Sequence, residues 1–253
     1  RVEVLPDSID PLDVRYHVIQ WVHRSTRGWS YGSSITDPRT GEIIKGHVSL
    51  GSLHIRQDYM IAQALSEQPF ASASSKKALM DFALARIRQL SAHEIGHTLG
   101  FAHNYAASTR NKSSVMDYPH PQLSLVDGKV SLDNAYETGI GTWDKVTVAY
   151  AYSTVAPGED QEKALTQILD HAYTSGLRYL TDQDARPASS PSASAHLWDN
   201  GMDVVDELSD MLAVRKTAMN GFSWDNLEQG TASGLEDVFV PLFFWHRYQT
   251  EAV

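Results

Sequence analysis

His93-Glu94-Ile95-Gly96-His97-Thr98-Leu99-Gly100-Phe101-Ala102-His103 is the stretch whose spacing decides how the rest of the chain is read. It has the form H-E-x-x-H-x-x-G-x-x-H. His93 and His97 are four residues apart, so on a helix their rings lie on one face and reach one metal ion. Glu94 occupies the same turn and can polarise a water held by that ion without ligating it. Gly100 can take a positive φ and stop the helix. The chain then doubles back and offers His103 as a third nitrogen. Three nitrogens leave one position of a four-coordinate zinc open, the pattern of a catalytic rather than a structural site.

After a short loop comes Ser114-Val115-Met116-Asp117-Tyr118-Pro119. The extended histidine motif followed by a methionine-bearing turn resembles the metzincin clan of zinc peptidases. The resemblance implies an α+β, metzincin-like zincin fold: a small twisted mixed sheet, an active-site helix, a Met-turn and a mostly helical C-terminal extension. It implies Zn2+ on His93, His97 and His103, with Glu94 as the general base and Gly100 as the structural turn between ligands. Met116 matches the methionine that lies beneath the histidines as an apolar floor. Tyr118 resembles the tyrosine of the astacin and serralysin branches, whose phenol donates to the oxyanion.

Within the clan, the strings DPRTGEI, HEIGHTLGFAHN, SVMDYP and HRYQTEA look like the bacterial metzincins with an EcxA-like zinc-binding domain. The implied activity is zinc-dependent endopeptidase on a peptide or protein substrate, working outside the cytoplasm, periplasmic or secreted. A zinc hydrolase of a non-peptide amide and a catalytically silent binding protein of the same fold are the alternatives. Retention of Glu94 beside all three histidines speaks against the silent one. Clan members carry a first strand and a long backing helix ahead of residues 14–22, and neither is visible. The last segment stops at Val253 in mid-period. Residues 1–156 are thus expected to be a catalytic domain lacking those two elements, and 157–253 a truncated helical extension, with further domains in a longer parent chain.

Composition bounds the partners. The 253 residues are 42% hydrophobic, ample for a sizeable core. No apolar run reaches the roughly eighteen residues a membrane span needs. A net charge of −10 without a basic stripe argues against nucleic acid. With no cysteine, a metal must rely on nitrogen and oxygen ligands.

Along the chain, residues 1–55 read as strands. Val2 to Leu5 alternates, and Val14, Tyr16, Val18, Gln20 and Val22 share a face. Residues 29–36 and 43–50 flank Asp37-Pro38-Arg39-Thr40-Gly41-Glu42 and predict an antiparallel hairpin. Residues 30–36 are then the edge to which an extended substrate adds by its backbone. A short helix is expected over 57–66 and a connector over 71–75. The active-site helix runs from Lys76 to Leu99, with Leu79, Ala83, Ile87 and Leu90 at helical period. Residues 104–113 read as a polar loop. Pro119-His120-Pro121 is expected to line the pocket next to the scissile bond, His120 at its rim. Gly139 to Tyr152 holds a helix, with Asp144 as a cap or as a support to the metal ligands. Further helices are expected over 159–175, 202–219 and 235 to the end, with a loop over 185–195. His17, His23, His47, His54, His171, His196 and His246 lack ligand spacing, and Trp198, Trp224 and Trp245 read as core.

Overall fold

A charged residue at the centre of the sheet shows how its first strand is held. β1 (Val18–Val22), β2 (Tyr31–Thr36) and β3 (Ile43–Gly51) lie in the order β1-β3-β2. β1 is parallel to β3, and β2 is antiparallel to it. Lys45 of β3 is almost fully buried, and its Nζ donates to the carbonyls of Asp13, at 3.0 Å, and Tyr16. Supplying those carbonyls bends the chain over 13–16, where the Tyr16 amide donates to the Asp13 carbonyl at 3.2 Å. The strand expected from Val14 therefore starts only at Val18, and Val2 to Leu5 forms no strand. The computed structural model describes residues 2–24, 28–185, 192–228 and 232–253.

The hairpin forms as its turn chemistry predicts. The Asp37 amide donates to the Glu42 carbonyl at 2.9 Å, and Gly41 takes a φ of +76°. β2 is thereby an edge strand, with β3 as its strand neighbour among the described residues. Its Gly32 packs so close to the helix below that a Cβ there would lie 1.9 Å from the Glu94 carbonyl oxygen.

α1 (Leu53–Leu65) and α2 (Ala73–Thr98) follow. Both begin earlier than the pattern suggests. Ser72, inside the expected connector, caps α2 by accepting the Ser75 amide at 3.0 Å, a contact worth about 1 kcal/mol. Leu79, Phe82 and Ala83 of α2 are buried, and Leu79 and Phe82 share a core cluster with Ala62 and Leu65 of α1.

The core continues beyond residue 157. Met211, Val214 and Ala218 of α6 (Val204–Gly221), Val238 and Leu242 of α7 (Leu235–Phe243), and Trp245 share one apolar cluster with α1 and α2. Earlier come α3 (Thr142–Tyr152), α4 (Gln161–Thr174), which packs on α3, and the single turn α5 (Asp182–Ala185). The helix expected from Leu235 to the end is two: α8 (Arg247–Ala252) follows tight turns in which the Trp245 and Arg247 amides donate to the Leu242 and Phe244 carbonyls. Those turns direct Trp245 inward. Trp224, read as core, is 61% exposed.

Two further departures concern loops. Residues 104–113 are not a polar loop: Tyr105–Arg110 form a 3-10 turn with Tyr105, Ala106 and Ala107 buried. A small hairpin of β4 (Ser124–Val126) and β5 (Lys129–Ser131) turns at Asp127-Gly128, both with positive φ. This hairpin was missed in the sequence, although Asp-Gly is a pair that accepts the positive φ values such a turn needs. Of the loop expected over 185–195, residues 186–191 lie outside the described residues. Among the described residues no helix is long and apolar enough to cross a membrane.

Candidate metal centre

His93 and His97 project from the last turns of α2, and the helix ends where the sequence says it must. The Gly100 amide donates to the His97 carbonyl at 3.0 Å and the Phe101 amide to the Gly96 carbonyl at 3.1 Å. Gly100 has a φ of +86°. This is the paired closure of a left-handed helix stop. It reverses the chain and brings His103 back to the ring pair.

Each ring is held by its Nδ1. His93 Nδ1 lies 2.7 Å from the Val115 carbonyl, His97 Nδ1 2.8 Å from the Phe101 carbonyl, and His103 Nδ1 2.7 Å from Oδ2 of Asp182. These oxygens only accept, so each Nδ1 is the donor and, in the neutral imidazole, each Nε2 is left with its lone pair. The Nε2 atoms converge: His97 is 3.1 Å from His93 and 3.2 Å from His103. With lone pair facing lone pair, these are not hydrogen bonds, and a cation between them removes the repulsion. Tetrahedral zinc with bonds of about 2.0–2.1 Å sets its nitrogens about 3.3 Å apart. The residues fit a metal of that kind, and among the described residues these three make the group able to hold one. Burial depresses the pKa of His93 to about 3 and lowers that of His97, keeping both rings neutral and ready to ligate.

The sequence profile of the Met-zincin family matches residues 75–253, covering the histidine motif and the helices after residue 157. The chain belongs to the Met-zincin family. Searches of the curated proteins and of the solved structures returned no match.

In this Met-zincin, Met116 lies directly beneath the ligand helix. A Cβ built on Gly96 would sit 2.2 Å from its Sδ, and Met116 is 3% exposed. The turn that carries it is anchored by Asp144, a first-turn residue of α3 suspected from its position. One Asp144 oxygen accepts the Ser114 hydroxyl at 2.6 Å, the other the amides of Val115, at 2.9 Å, and Gly141, at 2.6 Å. Asp144 is thus both a helix cap and a strut: it fixes Val115, whose carbonyl orients His93.

Glu94 is buried, its carboxylate bonded to the backbone N–H of Gly32 on the edge strand. Burial pushes its pKa up to about 7, while that hydrogen bond and Arg86 pull it down. The Tyr118 ring stands 5.4 Å from the His93 ring and 4.8 Å from the His103 ring, centre to centre. Trp198, expected in the core, backs Tyr118 at 5.2 Å. His120 is not at a rim: it is buried against Trp245, ring centres 4.5 Å apart.

Asp182 was missed. It orients His103 and also accepts the Tyr105 hydroxyl at 3.1 Å. It lies 79 residues beyond His103 in an unremarkable Thr-Asp-Gln-Asp string, with no local spacing to betray it.

Proposed function

We propose that this Met-zincin is a zinc-dependent endopeptidase. The carrying observation is the convergence of three proton-fixed imidazoles, Nε2 to Nε2 at 3.1 and 3.2 Å, on the helix turn that bears Glu94. His93, His97 and His103 would hold the ion. Zinc bound there supplies Lewis-acid charge that acidifies water and polarises a carbonyl. Glu94 takes the proton of the attacking water on a carboxylate oxygen and passes it to the leaving nitrogen as the C–N bond breaks. A carboxyl held near neutrality suits both transfers. Tyr118 donates its phenolic proton in a hydrogen bond to the tetrahedral oxyanion. The free edge of β2 binds the extended substrate main chain by strand addition.

The same proposal carries an EcxA-like, bacterial affiliation and, with it, an extracytoplasmic place of work, supported by the residue strings quoted above. Glu94→Ala tests the reading: the variant is expected to bind zinc as wild type does and to lose peptide cleavage. Unchanged turnover in that variant refutes the assigned base.

A further inference from the structure

A cavity of about 340 Å³ opens along the segment that directly follows Tyr118, and its wall contains a buried arginine that forms no ion pair among the described residues. Arg86 lies on α2 seven residues before His93, hence on the same helix face and about 10 Å along the axis. It is 6% exposed. Its guanidinium packs 5.6 Å from the Tyr136 ring and 5.8 Å from the Trp198 ring and donates to the Gln89 side chain. It joins no ion pair among the described residues. A buried charge normally has a counter-charge.

The rest of the wall is poorly satisfied too. Trp245 Nε1, His120 Nδ1 and Asp58 Oδ2 are buried on this cavity without hydrogen-bond partners among the described residues. Such atoms need a guest or water. Trp198 links the cavity to the centre, because its ring packs at a tilt against Tyr118, and Pro119, His120 and Pro121 of the wall directly follow that tyrosine.

We propose that this cavity is a carboxylate-recognising subsite in which Arg86 binds an acidic side chain of the substrate flanking the scissile bond. The proposal rests on the peptidase reading for the word substrate, and on the cavity alone for the carboxylate. Charge selects among guests. Arg86 and Arg247 contribute two positive charges to the wall, against one carboxylate, Asp58, which burial holds back from ionising. A lysine or arginine guest would meet Arg86. An apolar guest would leave the guanidinium without a counter-charge and the indole N–H without an acceptor. A carboxylate answers both, and the planar fork of arginine suits it.

Trp198 and Trp245 line the cavity and report its occupancy. Titrating the protein, zinc-free and zinc-loaded, with acetyl-glutamic acid amide is expected to change tryptophan fluorescence saturably. Acetyl-glutamine amide should bind at least about ten-fold more weakly, and Arg86→Met should lose the acid preference. Equal responses to acid and amide, or undiminished acid binding by Arg86→Met, overturn the subsite. Should Arg86→Met fail to fold, Asp58→Asn serves at pH 8, where Asp58 is ionised: removing that competing charge is expected to tighten acid binding several-fold there, and no tightening at pH 8 counts against the proposal. In a peptide library, cleavage beside glutamate should exceed cleavage beside glutamine about ten-fold. Cleavage indifferent to acidic residues sinks the subsite and leaves the peptidase standing. Acid-selective binding without cleavage of any peptide does the reverse.

Discussion

The imidazole Nδ1 of His103 and the carboxylate of Asp182 stand 2.7 Å apart, joining the last histidine of the motif to a residue 79 positions later. A carboxylate behind a ligating histidine fixes its tautomer and raises its basicity. The other two rings lean on backbone carbonyls, so the third alone depends on a side chain from the C-terminal part of the chain.

Asp182→Ala is therefore expected to weaken zinc binding about 10- to 100-fold. Competition with a chelating dye measures it, and an unchanged dissociation constant would sink the orienting role. In wild type, stripping the ion with a chelator should lower the melting temperature, since a ligand at a hundred times its Kd adds about 2.7 kcal/mol of stability.

Gly96→Ala would drive a methyl group into the Met116 sulfur, 2.2 Å away in a buried turn. Overpacking of this kind costs about 1–3 kcal/mol. Adding Met116→Ala to Gly96→Ala should relieve much of that strain, so that the two costs do not add. Urea melts of the four proteins decide it: strict additivity means Gly96 and Met116 do not touch as described.

Tyr118→Phe keeps the ring packed between His93, His103 and Trp198 while removing its hydroxyl. If the phenol serves the oxyanion, kcat should fall about a hundred-fold with KM little changed. A rise in KM alone would make Tyr118 a binding residue.

Asp58 supplies a pH prediction. Burial raises its pKa from 3.8 to about 7, with Arg86 opposing. A folded pKa above the unfolded one means the folded state binds the proton more tightly. The stabilisation from that proton is full below about pH 4 and is lost as pH climbs towards 7, up to roughly 4 kcal/mol in all. Asp58→Asn, which cannot ionise, should be more stable than wild type at pH 8 and lose that advantage near pH 4. Thermal melts across this range check it, and a gap independent of pH would show that Asp58 is ionised in the fold.

The sequence by itself determined whatever depends on helix period and turn chemistry. The i, i+4 placement of His93 and His97, the stop at Gly100 and the return to His103 all lie within eleven residues, where covalent geometry leaves few alternatives. The hairpin at Asp37–Glu42 and the cap at Asp144 were legible for the same reason. Tertiary structure decided what requires two distant segments to meet: the early bend that serves Lys45, the burial of Tyr105 and His120, and the cavity around Arg86. It alone set Asp182 behind His103. Contacts of that kind leave no periodic trace, because the chain between the partners can take any path that keeps the core dry and its polar groups paired.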